Sequence, residues 1–213
     1  MAVTFPMSIE DFMDKLGVVK TTFHLPSLVQ SKRQTGGGTV RVEPGERMWV
    51  GKVELRPYRN ISIDRYSAML ELLGEGNASF FVTPSDRKGP QSDPTGVALA
   101  ASTPLIRQIG SGGSEISFKG LPGGFKLNVG DMVSFVSAGT HCLHRIQNDV
   151  TASGSGNTSL VTISPPPPPG LAIDIAVQFV QPRCMAEIVS YDPSTKGITH
   201  GSPISFGWEQ TFT

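Results

Sequence analysis

Charge is scarce in this chain, and it is balanced. Only 17% of its 213 residues are Asp, Glu, Lys or Arg, 18 of each sign, and the formal net charge is zero. An average soluble domain carries about 25%. The balance excludes a basic coat that would hold nucleic acid by counterion release, and it excludes an acidic disordered tail. Cysteine is almost missing. Cys142 and Cys184 stand alone, too few for a disulfide framework, and they read as reduced, partly buried thiols. Met1–Met7 lacks a basic segment followed by an apolar core, so no signal peptide is expected. Long hydrophobic runs are lacking too. The longest, Gly170–Val180, is interrupted by Asp174 and Gln178 and falls short of the ~20 apolar residues that span a bilayer. These absences predict a soluble chain of a reducing cytosol with no membrane insertion. In that setting the sequons at Asn60, Asn77 and Asn157 are coincidental.

Glycine and proline are plentiful, with 24 and 17 residues. That richness predicts many turns, short elements and a mainly β protein, and it argues against a helical bundle. The length allows one large domain or two small ones. A globule of this size buries roughly 70% of its unfolded surface, so it needs neither disulfide nor metal to fold.

Two short helices are expected. Ser8 can cap the first, in which Ile9, Phe12, Met13 and Leu16 share a face before Gly17 stops it. Ser62–Leu73 is the stronger, with Ile63, Tyr66, Leu70 and Leu73 on one side and Gly74 after it. Thr39–Val42 and Met48–Leu55 alternate at period two around a Pro44-Gly45 turn and read as antiparallel strands. Ala78–Val82 is a further strand, and the polar Asp86–Gly96 stretch is a loop or boundary. Beyond it, Ile109–Phe118, Leu127–Val136, Cys142–Ile146 and Leu160–Ile163 are strand candidates separated by glycine turns, the spacing of a small barrel. Pro165–Pro169 is a run of five prolines, extended and without N–H donors, and reads as a stiff linker that ends that barrel. Ala172–Val180, Ala186–Tyr191 and Ile204–Gln210 follow as strands, the last with Ile204, Phe206 and Trp208 on one face. Trp49, Tyr66, Leu70, Phe80, Phe206 and Trp208 should build the main core. Leu127, Val129, Val133, Phe135, Leu143, Ile146, Val161 and Ile163 should line the small barrel.

The chemistry is thin. His141-Cys142-Leu143-His144 is the densest set of potential metal ligands, but a strand puts Cys142 and His144 on one face and His141 on the other. A fourth ligand would have to come from afar, so the set reads as a strand with an inward cysteine. Gly110-Ser111-Gly112-Gly113-Ser114 is followed by no helix pattern and matches neither a dinucleotide loop nor a P-loop. Ser153-Gly154-Ser155-Gly156 reads as a hairpin tip, since a nucleophile elbow needs a strand before it and a helix after it. Glu71 and Glu75 read as a solvated face, and Asp131 as a turn residue acting through its side chain. No catalytic, cofactor-binding or metal-ligating residue is expected, and the chain is not expected to be an enzyme.

A particular order of segments runs along the chain: Pro44–Trp49, Ala68–Gly74, Ser79–Val82, Leu127–Val133, Leu143–Ile146, Asp149–Gly154, Val161–Pro166 and Ile204–Phe212. In this order the sequence resembles the distal tail proteins of long, flexible-tailed (siphovirus-like) bacteriophages. The likeness covers nearly the whole chain, and none of its motifs is catalytic. It implies a β-sandwich or tail-tube-like barrel with a flanking helix, formed by residues 1–96 together with 170–213. A second small antiparallel β-barrel, residues 97–169, would be appended outward. It also implies a virion protein of the tail tip, assembled in the host cytoplasm as a homo-hexameric ring. The ring would join the tail tube protein and the tape-measure protein to the tail hub and the receptor-binding proteins. The low charge suits faces that pack on copies of themselves. The alternative is a carbohydrate-binding module at the tail tip that contacts host surface glycans. The loops Gln30–Gly38 and Asp86–Gly96 are expected to order on assembly.

Overall fold

The computed structural model describes residues 4–33, 36–42, 45–57, 60–76, 78–84, 86, 88–193, 195, 197 and 201–212. It is mainly β, with one α-helix and two large sheets. The first sheet is fully antiparallel. It runs from Val18–Thr21 (β1) through Val50–Leu55 (β4), Ser205–Gln210 (β15) and Cys184–Asp192 (β14) to Phe80–Val82 (β5). The sheet curls as a half-barrel. Among the described residues, Gln30–Arg33 (β2) and Thr39–Val42 (β3) pair only with each other. The expected pairing of Thr39–Val42 with the strand after Pro44-Gly45 is therefore corrected, and Pro44 itself lies outside the described residues.

Asn60–Leu73 forms the helix α1, two residues longer at its start than the sequence predicts. Ile63, Leu70 and Leu73 are buried, and Tyr66 is half-buried with its hydroxyl donating to the Lys15 carbonyl at 3.2 Å. The amino-terminal helix is corrected: only Met13–Lys15 is helical, as a single 3-10 turn. The cause is a competing tertiary contact. Met7 bridges Phe80 in parallel, with Met7 N–H on the Ser79 carbonyl (2.9 Å) and Phe81 N–H on the Met7 carbonyl (3.0 Å). The chain must then turn inward, and Ile9, Phe12, Met13 and Leu16 reach the core from turns.

Aromatic rings fill that core. Phe12 meets Phe80 edge-on at 4.8 Å, and Phe23 meets Trp208 edge-on at 4.7 Å. Trp49, Phe80 and Trp208 are fully buried and Phe206 nearly so. Gly51 is required beneath Trp208. A Cβ there would lie 2.5 Å from the indole Cζ2 and collide with the Thr22 carbonyl.

The second sheet has the order β13-β9-β10-β12-β7-β6. Its strands are Val177–Gln178 (β13), Met132–Ser137 (β9), Thr140–Ile146 (β10), Val161–Ser164 (β12), Glu115–Lys119 (β7) and Leu105–Ile109 (β6). Lys126–Leu127 (β8) and Val150–Thr151 (β11) make a small side ladder. The six strands form a nearly closed barrel, because Leu105 bridges Ala176 just before β13 and Ile106 N–H donates to Ile175 at 2.9 Å. The stretch expected as one strand over Ile109–Phe118 is two, β6 and β7, with Gly110–Ser114 as the turn between them. Ala172–Val180 is likewise mostly irregular, with only β13 in the ladder.

Leu171, Val177 and Phe179 pack into the barrel core. The chain thus passes the proline run and goes back into the barrel before it rejoins the first sheet at Cys184. Two of the residues expected to line the barrel do not. Val129 is exposed in a turn, and Leu143 packs into the first core. Leu143 does so because β10 is buried on both sides. Cys142 and Ile146 point into the barrel, while Leu143 reaches the half-barrel core beside Trp49.

The Asp86–Gly96 stretch is already held within one chain. Asp93 accepts from the Val97 and Leu99 N–H groups, each at 3.1 Å. Asp131 accepts the N–H of Gln91 at 2.8 Å and that of Asn128, within its own turn, at 2.8 Å.

Candidate functional site

The four residues His141–His144 divide as strand geometry requires. His141 faces the half-barrel and meets Phe81 edge-on at 4.7 Å. Burial and the nearby Arg183 guanidinium hold its imidazole below the usual histidine range. Cys142 and His144 face the barrel side. Among the described residues, no three His, Cys, Asp or Glu side chains converge to hold a metal. Cys184 belongs to the other core, fully buried, and burial pushes its thiol well up. The Cys142 thiol is also raised, to about 11, chiefly by burial. Neither is poised as a nucleophile.

A large cavity lies at this strand. It is a groove of about 520 Å³ between the β9–β10 hairpin and Pro165–Pro169. The five prolines form one wall, and Ser137, Ala138 and Thr140 at the hairpin tip form another. Cys142 and His144 face it from the strand, and Gln210 and Phe212 close one end. Glu46 and Arg47 stand at its rim, where Arg47 Nη2 donates to Ser164 Oγ at 3.1 Å. Gln210 is buried and held in place. Its side-chain carbonyl accepts Trp49 N–H at 3.2 Å, and its amide donates to the His141 carbonyl at 3.5 Å.

His144 is the distinctive group of the groove. It is 2% exposed, and its ring stacks on Phe135 at 4.8 Å and 14°. Nδ1 lies 2.7 Å from the Pro165 carbonyl. A carbonyl only accepts, so Nδ1 carries the proton and Nε2 presents a lone pair. Nε2 has no partner among the described residues. Burial, opposed only in part by the Pro165 bond, pulls the imidazole down to about 4, so it is neutral at pH 7.

The proline run lines this groove, and it does not end the barrel as expected, because β13 beyond it pairs with β9. A run without N–H donors gives no pairing pattern, and its contact with His144 is a tertiary matter that spacing cannot disclose. The other sequence candidates remain apart from the groove. Gly110–Ser114 is the β6–β7 turn, Ser153–Gly156 is a turn between β11 and β12, and Glu71 and Glu75 are exposed. A smaller cleft of about 170 Å³ lies where the two sheets meet, with Phe23, Met132 and Arg145 in its walls. No helix among the described residues is long and apolar enough to cross a membrane. No family model matches the chain, and no curated protein matches it.

Proposed function

We propose that the chain is a structural, non-catalytic virion subunit, the distal tail protein of a long, flexible-tailed bacteriophage. Copies of it close into a ring, six-fold by resemblance, that joins the tail tube to the tip hub and the receptor-binding proteins. The order of sequence segments supports the family. The observation that carries the assembly reading is the β2–β3 ribbon. Gln30–Arg33 is exposed at every residue, and among the described residues the ribbon pairs with no other strand. A two-stranded ribbon is marginal in water by itself and gains stability by packing on something else. The edge strand β1, with Val19 70% exposed, offers a copy an unpaired ladder. A ribbon of one subunit on a different surface of the next is a heterologous contact, the kind that closes a ring. Asp86–Gly96, held by Asp93 and Asp131 within the chain, leaves the ribbon as the segment that assembly would order.

Native mass spectrometry and electron microscopy of the purified protein test this reading. The expected result is a closed annulus of six copies. Replacing Gln30–Val42 with a short Gly-Ser linker should leave a folded monomer. A chain that forms no circular oligomer, alone or in an assembled particle, overturns the reading.

A further inference from the structure

We infer that the outer face of β14 and β15 is a docking surface for a second copy of the chain, whose β2–β3 ribbon places Arg33 and Arg41 on Glu187 and Glu209. The inference rests on the ring-forming reading and names the contact which that reading leaves open.

The ribbon has two unlike faces. Ser31 stands opposite Arg41, and Arg33 opposite Thr39. Side chains alternate across a strand, so these four share one face, while Lys32 and Val40 lie on the other. All four are exposed. Neither arginine makes an ion pair or a side-chain hydrogen bond among the described residues. Diagonal neighbours on a ladder stand roughly 7–8 Å apart. The face therefore presents two guanidinium forks side by side, the group that grips carboxylates through paired hydrogen bonds.

The half-barrel carries the opposite sign. Ala186, Ile188 and Trp208 turn into the core, so Glu187 and Glu209 point out of the sheet. The two glutamates are directly opposite in the β14–β15 ladder and half-buried. Like charges directly opposite destabilise a ladder, and partial burial weakens their screening. Lys52 lies on the same face, opposite Gly207, but it is exposed and makes no ion pair among the described residues. Two arginines from another copy would neutralise the pair, and their long side chains close the difference in spacing. Val189, 61% exposed and beside Gly207, adds apolar area to the same face. The β1 edge offers backbone pairing but does not select the arginine face, because Lys20 there already stands opposite Glu54. Ribbon and receiving face are different surfaces of one chain, as a closing ring requires, and their charges are complementary.

The test is native mass spectrometry of the full chain and of two charge-reversed variants, each alone and then mixed. Arg33→Glu with Arg41→Glu makes the ribbon face acidic. Glu187→Lys with Glu209→Lys makes the receiving face basic. The wild type should form its ring, and each variant alone should lose it, with a dissociation constant raised at least about tenfold. Mixed in equal amounts, the two variants should recover closed rings in which they alternate, because each ribbon then meets a face of opposite sign. Pairing of ribbon and face within one chain would not be rescued by mixing. Rings formed by either variant alone, or no recovery in the mixture, overturn the inference and leave the ring-forming reading standing on the wild-type ring. A wild-type chain without a ring overturns both. If the glutamate variant fails to fold by circular dichroism, the ribbon variant, altered only at exposed positions, still decides, together with salt. A wild-type ring equally stable in about 0.05 M and about 0.5 M NaCl overturns the inference.

Discussion

The indole N–H of Trp49 donates to the backbone carbonyl of Leu143 at 2.7 Å, across the seam where the two sheets meet. Both residues are buried. Arg145 lies over the same indole at 4.7 Å from its centre, so one side chain just before β4 is gripped by two residues of β10. The consequence is mechanical. The half-barrel and the barrel share a core boundary at β10, and a load on one passes to the other through packed side chains.

Trp49→Phe keeps an aromatic ring at that seam but removes the donor. The Leu143 carbonyl loses a buried partner, and the cost should be about 1–3 kcal/mol. Trp208→Ala is the contrast. Trp208 is fully buried against Phe23 and above Gly51, so emptying its site should cost about 3–5 kcal/mol. Urea denaturation of both variants measures the difference. A Trp208→Ala cost under about 1 kcal/mol would place that ring on a surface.

Asp131→Ala should release two stretches of backbone at once. The carboxylate is fully buried and takes the N–H groups of Gln91 and Asn128. Hydrogen bonds to a charged acceptor are worth about 1.5–3 kcal/mol, and their loss should appear locally. Hydrogen exchange at Gln91 and Asn128 should quicken, while amides of β14 and β15 stay protected. Uniform exchange across the chain would deny Asp131 its clamping role.

The parts of this fold legible in the sequence are those where one face is apolar and the other is not. Ile204, Phe206 and Trp208 alternate, and β15 forms almost where they predict. Illegible parts have distinct physical causes. Gln30–Arg33 carries no apolar residue, so nothing in its pattern announces the strand that captures Thr39–Val42. Ile9, Phe12, Met13 and Leu16 have helical spacing, but the Met7–Phe80 bridge dictates the path of the chain. Leu143 was assignable to either core because β10 has two buried faces. The groove was hidden for a similar reason. Its ingredients, His144 and Pro165, are 21 residues apart and meet only once the barrel is folded.

The two thiols should resist alkylation. Burial raises Cys142 to about 11 and Cys184 still further in direction, so the thiolate that reacts is rare at pH 8. Iodoacetamide followed by mass spectrometry should find both unmodified in the folded chain and both labelled in denaturant. As the pH is raised, Cys142 should label first, because it lines the groove while Cys184 lies in the closed core. Labelling of Cys184 ahead of Cys142 in folded protein would contradict this packing.

His144 should make the fold sensitive to mild acid. In the unfolded chain a histidine titrates near 6.5, whereas burial holds the folded imidazole at about 4. The folded state therefore refuses a proton that the unfolded state accepts. Its contribution to stability is fully present above pH 6.5 and falls away as the pH drops from 6.5 toward 4. Between pH 7 and pH 4.5 the expected loss from this one group is about 2 kcal/mol. Carboxylates also begin to titrate in that range, as does His141, whose value is lowered in the same direction. A comparison with His144→Asn separates the terms, because the asparagine amide can still donate to the Pro165 carbonyl but takes up no proton. Free energies of unfolding at pH 7 and pH 4.5 should fall by about 2 kcal/mol more for the wild type than for the variant. Equal losses in the two proteins would mean that the folded chain takes up the His144 proton as readily as the unfolded chain does.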